Sequence, residues 1–187
     1  MKKILAILVV VVLMVAFSAP AMAVGSVSGD PAPAVVPYDP PKGTTGTETQ
    51  VKTTPVTDAE KGTTAEDKAI VEAYDSIKDA ESLTALIPGL DKVVAALDSS
   101  LNADELVVHD LFGITAEGDT AASLAKGEAV TFSVKSDLKP GDVLVVVQYV
   151  NGKWVALDPS AVVINADGSV SVTVSSAAPI AFLTKGA

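Results

Sequence analysis

The sequence contains no cysteine and no arginine, and its 187 residues include a single histidine. Without cysteine there can be no disulfides, thiolate nucleophiles, iron–sulfur clusters or cysteine-based zinc sites. All 13 basic residues are lysines, set against 23 acidic residues. That balance argues against nucleic acid, because backbone recognition needs clustered bases to neutralise phosphate, and the bidentate guanidinium fork is missing. With only His109 as an imidazole, a metal site has no second histidine, and neither H-E-x-x-H nor G-x-S-x-G occurs. Asp110 adjoins His109, but successive residues of a strand face opposite sides of a sheet, so the pair is not expected to build a triad. A paired-carboxylate hydrolase needs two acids converging in a cleft, and the acids here fall on helix exteriors and in turns. The expectation is a protein that is not an enzyme and that carries no cofactor or metal.

What is present begins with an export signal. Lys2 and Lys3 precede an apolar stretch over residues 4–17; Pro20 then breaks the helix, and Ala21-Met22-Ala23 supplies the small residues a signal peptidase reads. Residues 1–23 are therefore expected to be cleaved, and a membrane would be met only through this segment if it were retained. Removing these 23 residues leaves 164, with 11 lysines against 23 acids and a net charge of −12. Residues 24–64 hold six prolines, five glycines and nine threonines with no apolar period, the composition of a disordered Pro/Thr/Gly-rich linker.

The pattern then changes. Thr64 with Asp67 makes a capping box, and Ile70, Tyr74 and Ile77 recur at helical spacing. A short turn at 82–87 stops at Pro88-Gly89. Leu90, Val93, Val94 and Leu97 form a further apolar stripe, with Pro88 suited to the first helical position. Between residues 65 and 110 there are 11 acids and three lysines, so most of the negative charge sits on this helical segment and its exit. Beyond Leu101 the period falls to two. Leu106 begins a strand running toward Ile114, and Val130, Phe132 and Val134 alternate with polar residues. Lys139-Pro140-Gly141-Asp142 suits a type II turn, and 143–147 is a continuous apolar run of the kind covered on both faces. Asn151-Gly152 and Asp167-Gly168 mark hairpins, and residues 179–183 read as a last short strand at an edge.

The expected architecture is one α+β domain over 65–187, helical over 65–100 and β-rich over 105–185. Short acidic helices would pack on an antiparallel sheet or small β-sandwich, preceded by the linker. A core of about 120 residues can stand without disulfides.

The run Leu106-Val107-Val108-His109-Asp110-Leu111-Phe112, then Leu138-Lys139-Pro140-Gly141-Asp142, Val147-Gln148-Tyr149, Asn151-Gly152-Lys153-Trp154, Asn165-Ala166-Asp167-Gly168 and Ala178-Pro179-Ile180-Ala181-Phe182, resembles a recurrent α+β module. Such modules of unknown function occur in secreted and cell-surface proteins of anaerobic Gram-positive bacteria. The resemblance spans residues 65–183 and implies architecture and location, with no catalytic residue to transfer.

Two ligand classes remain to be weighed. Asn165-Ala166-Asp167-Gly168 has the opening of a calcium loop but none of its later acids, and the same residues are those a hairpin turn requires. Tyr149 and Trp154, across the Asn151-Gly152 hairpin, could stack on a sugar if exposed, or simply stabilise the hairpin as a cross-strand pair. The leading expectation is a secreted or cell-surface, non-catalytic binding, adhesion or structural module on a flexible stalk, meeting a cell-envelope or extracellular partner. A carbohydrate- or peptidoglycan-binding module using Tyr149 and Trp154 on polysaccharide is the alternative.

Overall fold

The computed structural model describes residues 35–36 and 50–186; the segment read as an export signal and most of the Pro/Thr/Gly-rich segment lie outside the described residues. The described chain is α+β in three layers. Five strands, β2 (Val51–Pro55), β3 (Leu106–Ala116), β9 (Ile180–Lys185), β5 (Leu144–Val150) and β6 (Lys153–Ala156), form one antiparallel sheet in that spatial order. A second antiparallel sheet orders β1 (Val35–Val36), β4 (Val130–Lys135), β8 (Ser169–Val174) and β7 (Val162–Ile164). The helices α1 (Val56–Ala59), α2 (Ala65–Lys78), α3 (Leu83–Leu86) and α4 (Leu90–Leu97) cover the outer face of the five-stranded sheet.

Two cores follow from this layering, and the central strands serve both. Leu144 and Val146 of β5, with Ile180 and Phe182 of β9, meet Phe132, Val134, Val170 and Val172 between the sheets. Val145, Val147, Ala181 and Leu183 face the helices instead, against Ile70, Ile77, Leu90 and Val94. A strand buried on both faces has no polar alternation to display, which accounts for the unbroken apolar run. Each fully buried Leu, Ile or Val contributes about 1.5–3 kcal/mol, so the helical layer is a substantial part of the stability.

The local signals hold where turn chemistry sets them. Thr64 and Asp67 form a reciprocal capping box at the start of α2. Asn151 and Gly152 take positive φ of 52° and 76° in the β5–β6 hairpin, as a type I′ turn demands. Gly141, at φ 102°, closes its turn through the Asp142 amide donating to the Lys139 carbonyl at 2.9 Å.

Four expectations are corrected. The domain begins before residue 65: β2 pairs along β3, and Val51, Val56 and Ala59 are buried. Threonine and Pro55 hid this strand, which lies at a sheet edge where proline is tolerated. The strand after Pro179 is central, between β3 and β5, because its apolar residues are needed in both cores. Within the β-rich part, α5 (Gly118–Ala125) intervenes and sends Leu124 into the inter-sheet core. Pro88 stands outside α4, whose entry is made by Gly89 at φ 80°.

Finally, β3 carries a bulge at His109. Val108 pairs with Leu183 and Asp110 with the next residue, Phe182, so His109 is an extra residue in the ladder.

Candidate functional site

The aromatic pair comes first. The rings of Tyr149 and Trp154 lie 5.2 Å apart at 56° across the hairpin, but they point beneath the helices. Trp154 is 1% exposed and Tyr149 8%. The exposure that the sugar-stacking alternative requires is not found: Trp154 fills the core under α2, where its indole N–H donates to Ser76 Oγ at 2.9 Å. Ser76 in turn donates to the Ala73 carbonyl at 2.8 Å. The Tyr149 hydroxyl donates to Glu72 Oε1 at 3.0 Å. Burial holds that phenol above its usual range, and the Glu72 carboxylate adds to the effect. These two bonds tie one face of α2 to β5 and β6.

Beside Tyr149 lies an open cleft of about 700 Å³. Its walls come from the α1–α2 turn, with Ala59, Glu60 and Gly62, and from one stripe of α2: Lys68, Val71, Glu72, Asp75, Ser76 and Asp79. The stripe follows helical geometry, because residues three and four apart share a face. Glu60, Glu72, Asp75 and Asp79 are exposed, and none of them forms an ion pair with lysine among the described residues. Tyr149 thus lines the cleft, whereas Trp154 does not reach it.

The imidazole lies elsewhere. His109 Nε2 is 2.8 Å from Asp137 Oδ1 and 3.6 Å from Asp110 Oδ2. The expectation that strand alternation would part His109 from Asp110 is overturned by the bulge, which breaks the alternation at that residue. Both carboxylates approach the same ring nitrogen, so the arrangement is not that of a triad, in which the two nitrogens face different partners. Desolvation pushes the Asp110 carboxyl above the usual carboxylate range; the His109 charge opposes this and the Asp137 charge adds to it. Among the described residues no three His, Cys, Asp or Glu side chains converge to hold a metal ion. In the β7–β8 hairpin, Asn165 Nδ2 donates to Ser169 and Ser171, and Asp167 accepts from the amide and hydroxyl of Ser169.

The cleft was missed in the sequence, though the spacing of Glu72, Asp75 and Asp79 was visible as an acidic helix face. Asp137 has no sequence signal at all, since it is brought to His109 across 28 residues.

No protein-family model, curated protein or solved structure matches the chain.

Proposed function

We propose that the protein is a secreted or cell-surface, non-catalytic binding or adhesion module, carried on its Pro/Thr/Gly-rich segment and directed outward by residues 1–23. The observation that carries this reading is the cleft beside α2. Its base is held by two buried-side hydrogen bonds, Tyr149 to Glu72 and Trp154 to Ser76, and its mouth is open. A preformed recess on a rigid layer binds without the cost of ordering its own walls. The polysaccharide alternative loses its support, because the ring faces meant to stack on sugar are covered.

The test is capture with residues 24–187 from an extract of the producing cell's envelope. One specific partner, retained at physiological salt, is the expected result; recovery of nothing counts against the adhesion reading. Mass spectrometry of the exported protein should find Val24 as the first residue, and a chain still carrying residues 1–23 would contradict the export step.

A further inference from the structure

We propose that the cleft is a docking groove for an extended, lysine- or arginine-bearing segment of a partner protein. This rests on the binding function above and names the chemistry of its ligand. The floor is apolar, built on Val71, Ala59 and the buried Tyr149. Around it stand Glu60, Glu72, Asp75 and Asp79, opposed in the cleft by Lys68 alone, which leaves three uncompensated negative charges. Apolar floor and anionic rim together match a side chain with a methylene stem and a cationic head, which lays its stem on apolar surface and keeps its charge at the edge.

Length selects a peptide over a small amine. From Lys68 to Asp79, the C-cap of α2, is 11 steps along the chain, and the helical rise per residue makes this about 16 Å. An extended segment of about five residues spans that distance at roughly 3.3 Å each. The groove is also held in shape before binding, since Glu72 and Ser76 are fixed to Tyr149 and Trp154. The rim carboxylates are solvated, so attraction should be salt-sensitive and expressed partly in association rate.

The experiment is a fluorescence-anisotropy titration of residues 24–187 with a labelled seven-residue peptide of alternating lysine and alanine, alongside the same peptide with every lysine acetylated. The charged peptide should bind at least tenfold more tightly, and raising the salt to about 0.5 M should weaken it several-fold. Glu72→Gln/Asp75→Asn/Asp79→Asn should lose at least tenfold, while Asp91→Asn/Asp119→Asn/Glu128→Gln, an equal charge change away from the cleft, should alter binding less than twofold. Val71→Ser should weaken the charged peptide about threefold with no change in net charge. Circular dichroism melts establish that each variant is folded. Equal losses in the two triple variants mean general charge attraction only and overturn the proposal, as does equal binding of the acetylated peptide. Capture of one envelope partner by wild type and cleft variant alike also overturns it, while leaving the binding function standing.

Discussion

Gly113 of β3 and Ile70 of α2 interlock: a Cβ placed at Gly113 would overlap Cδ1 of Ile70 and come within 2.5 Å of its Cγ1. The missing side chain lets the helix approach the strand, and Ile70 fills the space as a buried residue. Gly113→Ala is therefore expected to destabilise the domain by about 1–3 kcal/mol through overpacking. Combining it with Ile70→Ala should recover part of that loss relative to the sum of the single changes, because the two share one space. Urea unfolding of the four proteins in this cycle measures the coupling, and strict additivity would show that the contact is not the cause.

Gly152 gives the contrasting case. Open space surrounds it, yet its φ is 76°. Gly152→Ala should cost about 1–2 kcal/mol from backbone conformation alone, with no coupling to any neighbouring side chain. A cost near zero in the same unfolding assay would mean that the hairpin adopts another turn.

Trp154 is the one tryptophan, so emission reports its surroundings directly. Its burial beneath α2 predicts a blue-shifted spectrum that iodide barely quenches, shifting to the red on unfolding. Added polysaccharides should leave the spectrum unchanged. Strong quenching in the native protein would contradict the covered position, and a polysaccharide-dependent shift would revive sugar binding at that ring.

Acidity acts on this fold in two directions. Asp110 has its pKa raised above 3.8 by desolvation, so the folded state holds that proton more tightly than the unfolded state. Its contribution is largest at low pH and is lost as pH rises through the raised value. Asp67, Asp98, Asp158 and Asp167 lie below 3.8, because neighbouring Thr64, Ser100, Ser160 and Ser169 hydrogen-bond to the charged form. Their contribution is present above 3.8 and disappears as pH falls through the lowered values. Asp110→Asn should therefore gain on wild type in relative stability as pH rises from 3 to 7, read as the difference in urea midpoint. A difference that stays flat or changes the other way would refute the burial argument for Asp110.

Much of this architecture is written in local chemistry. Thr64 and Asp67, Asn151-Gly152 and Gly141 announce their caps and turns because the information lies within four residues. The apolar run of β5 likewise announces its double burial. β2 was illegible because an edge strand of threonine, lysine and proline needs only Val51 to anchor it, and its identity comes from β3, about 60 residues away. The cleft was half legible: helical spacing grouped the carboxylates of α2, but only the placement of α1 and Tyr149 turns that face into a recess. Trp154 and Tyr149 were recognisable as a pair, while the face they occupy depends on which side the helices cover.

The extra residue in β3 has a consequence for the strand as a whole. Leu106 and Val108 contact the helices, while Phe112 and Ile114, also even-numbered, contact the opposite sheet. An uninterrupted strand would send all four the same way, so His109 acts as a change of parity halfway along. Replacing its ring leaves that count intact. Deleting the residue would join Val108 to Asp110 in a regular ladder, still opposite Leu183 and Phe182, so that both halves of the strand keep their faces and Phe112 and Ile114 stay in the core they share with Phe132. The one histidine thus occupies the one place in the β3–β9 ladder that could be removed without moving the pairing on either side, and what its removal takes away is the contact with Asp137.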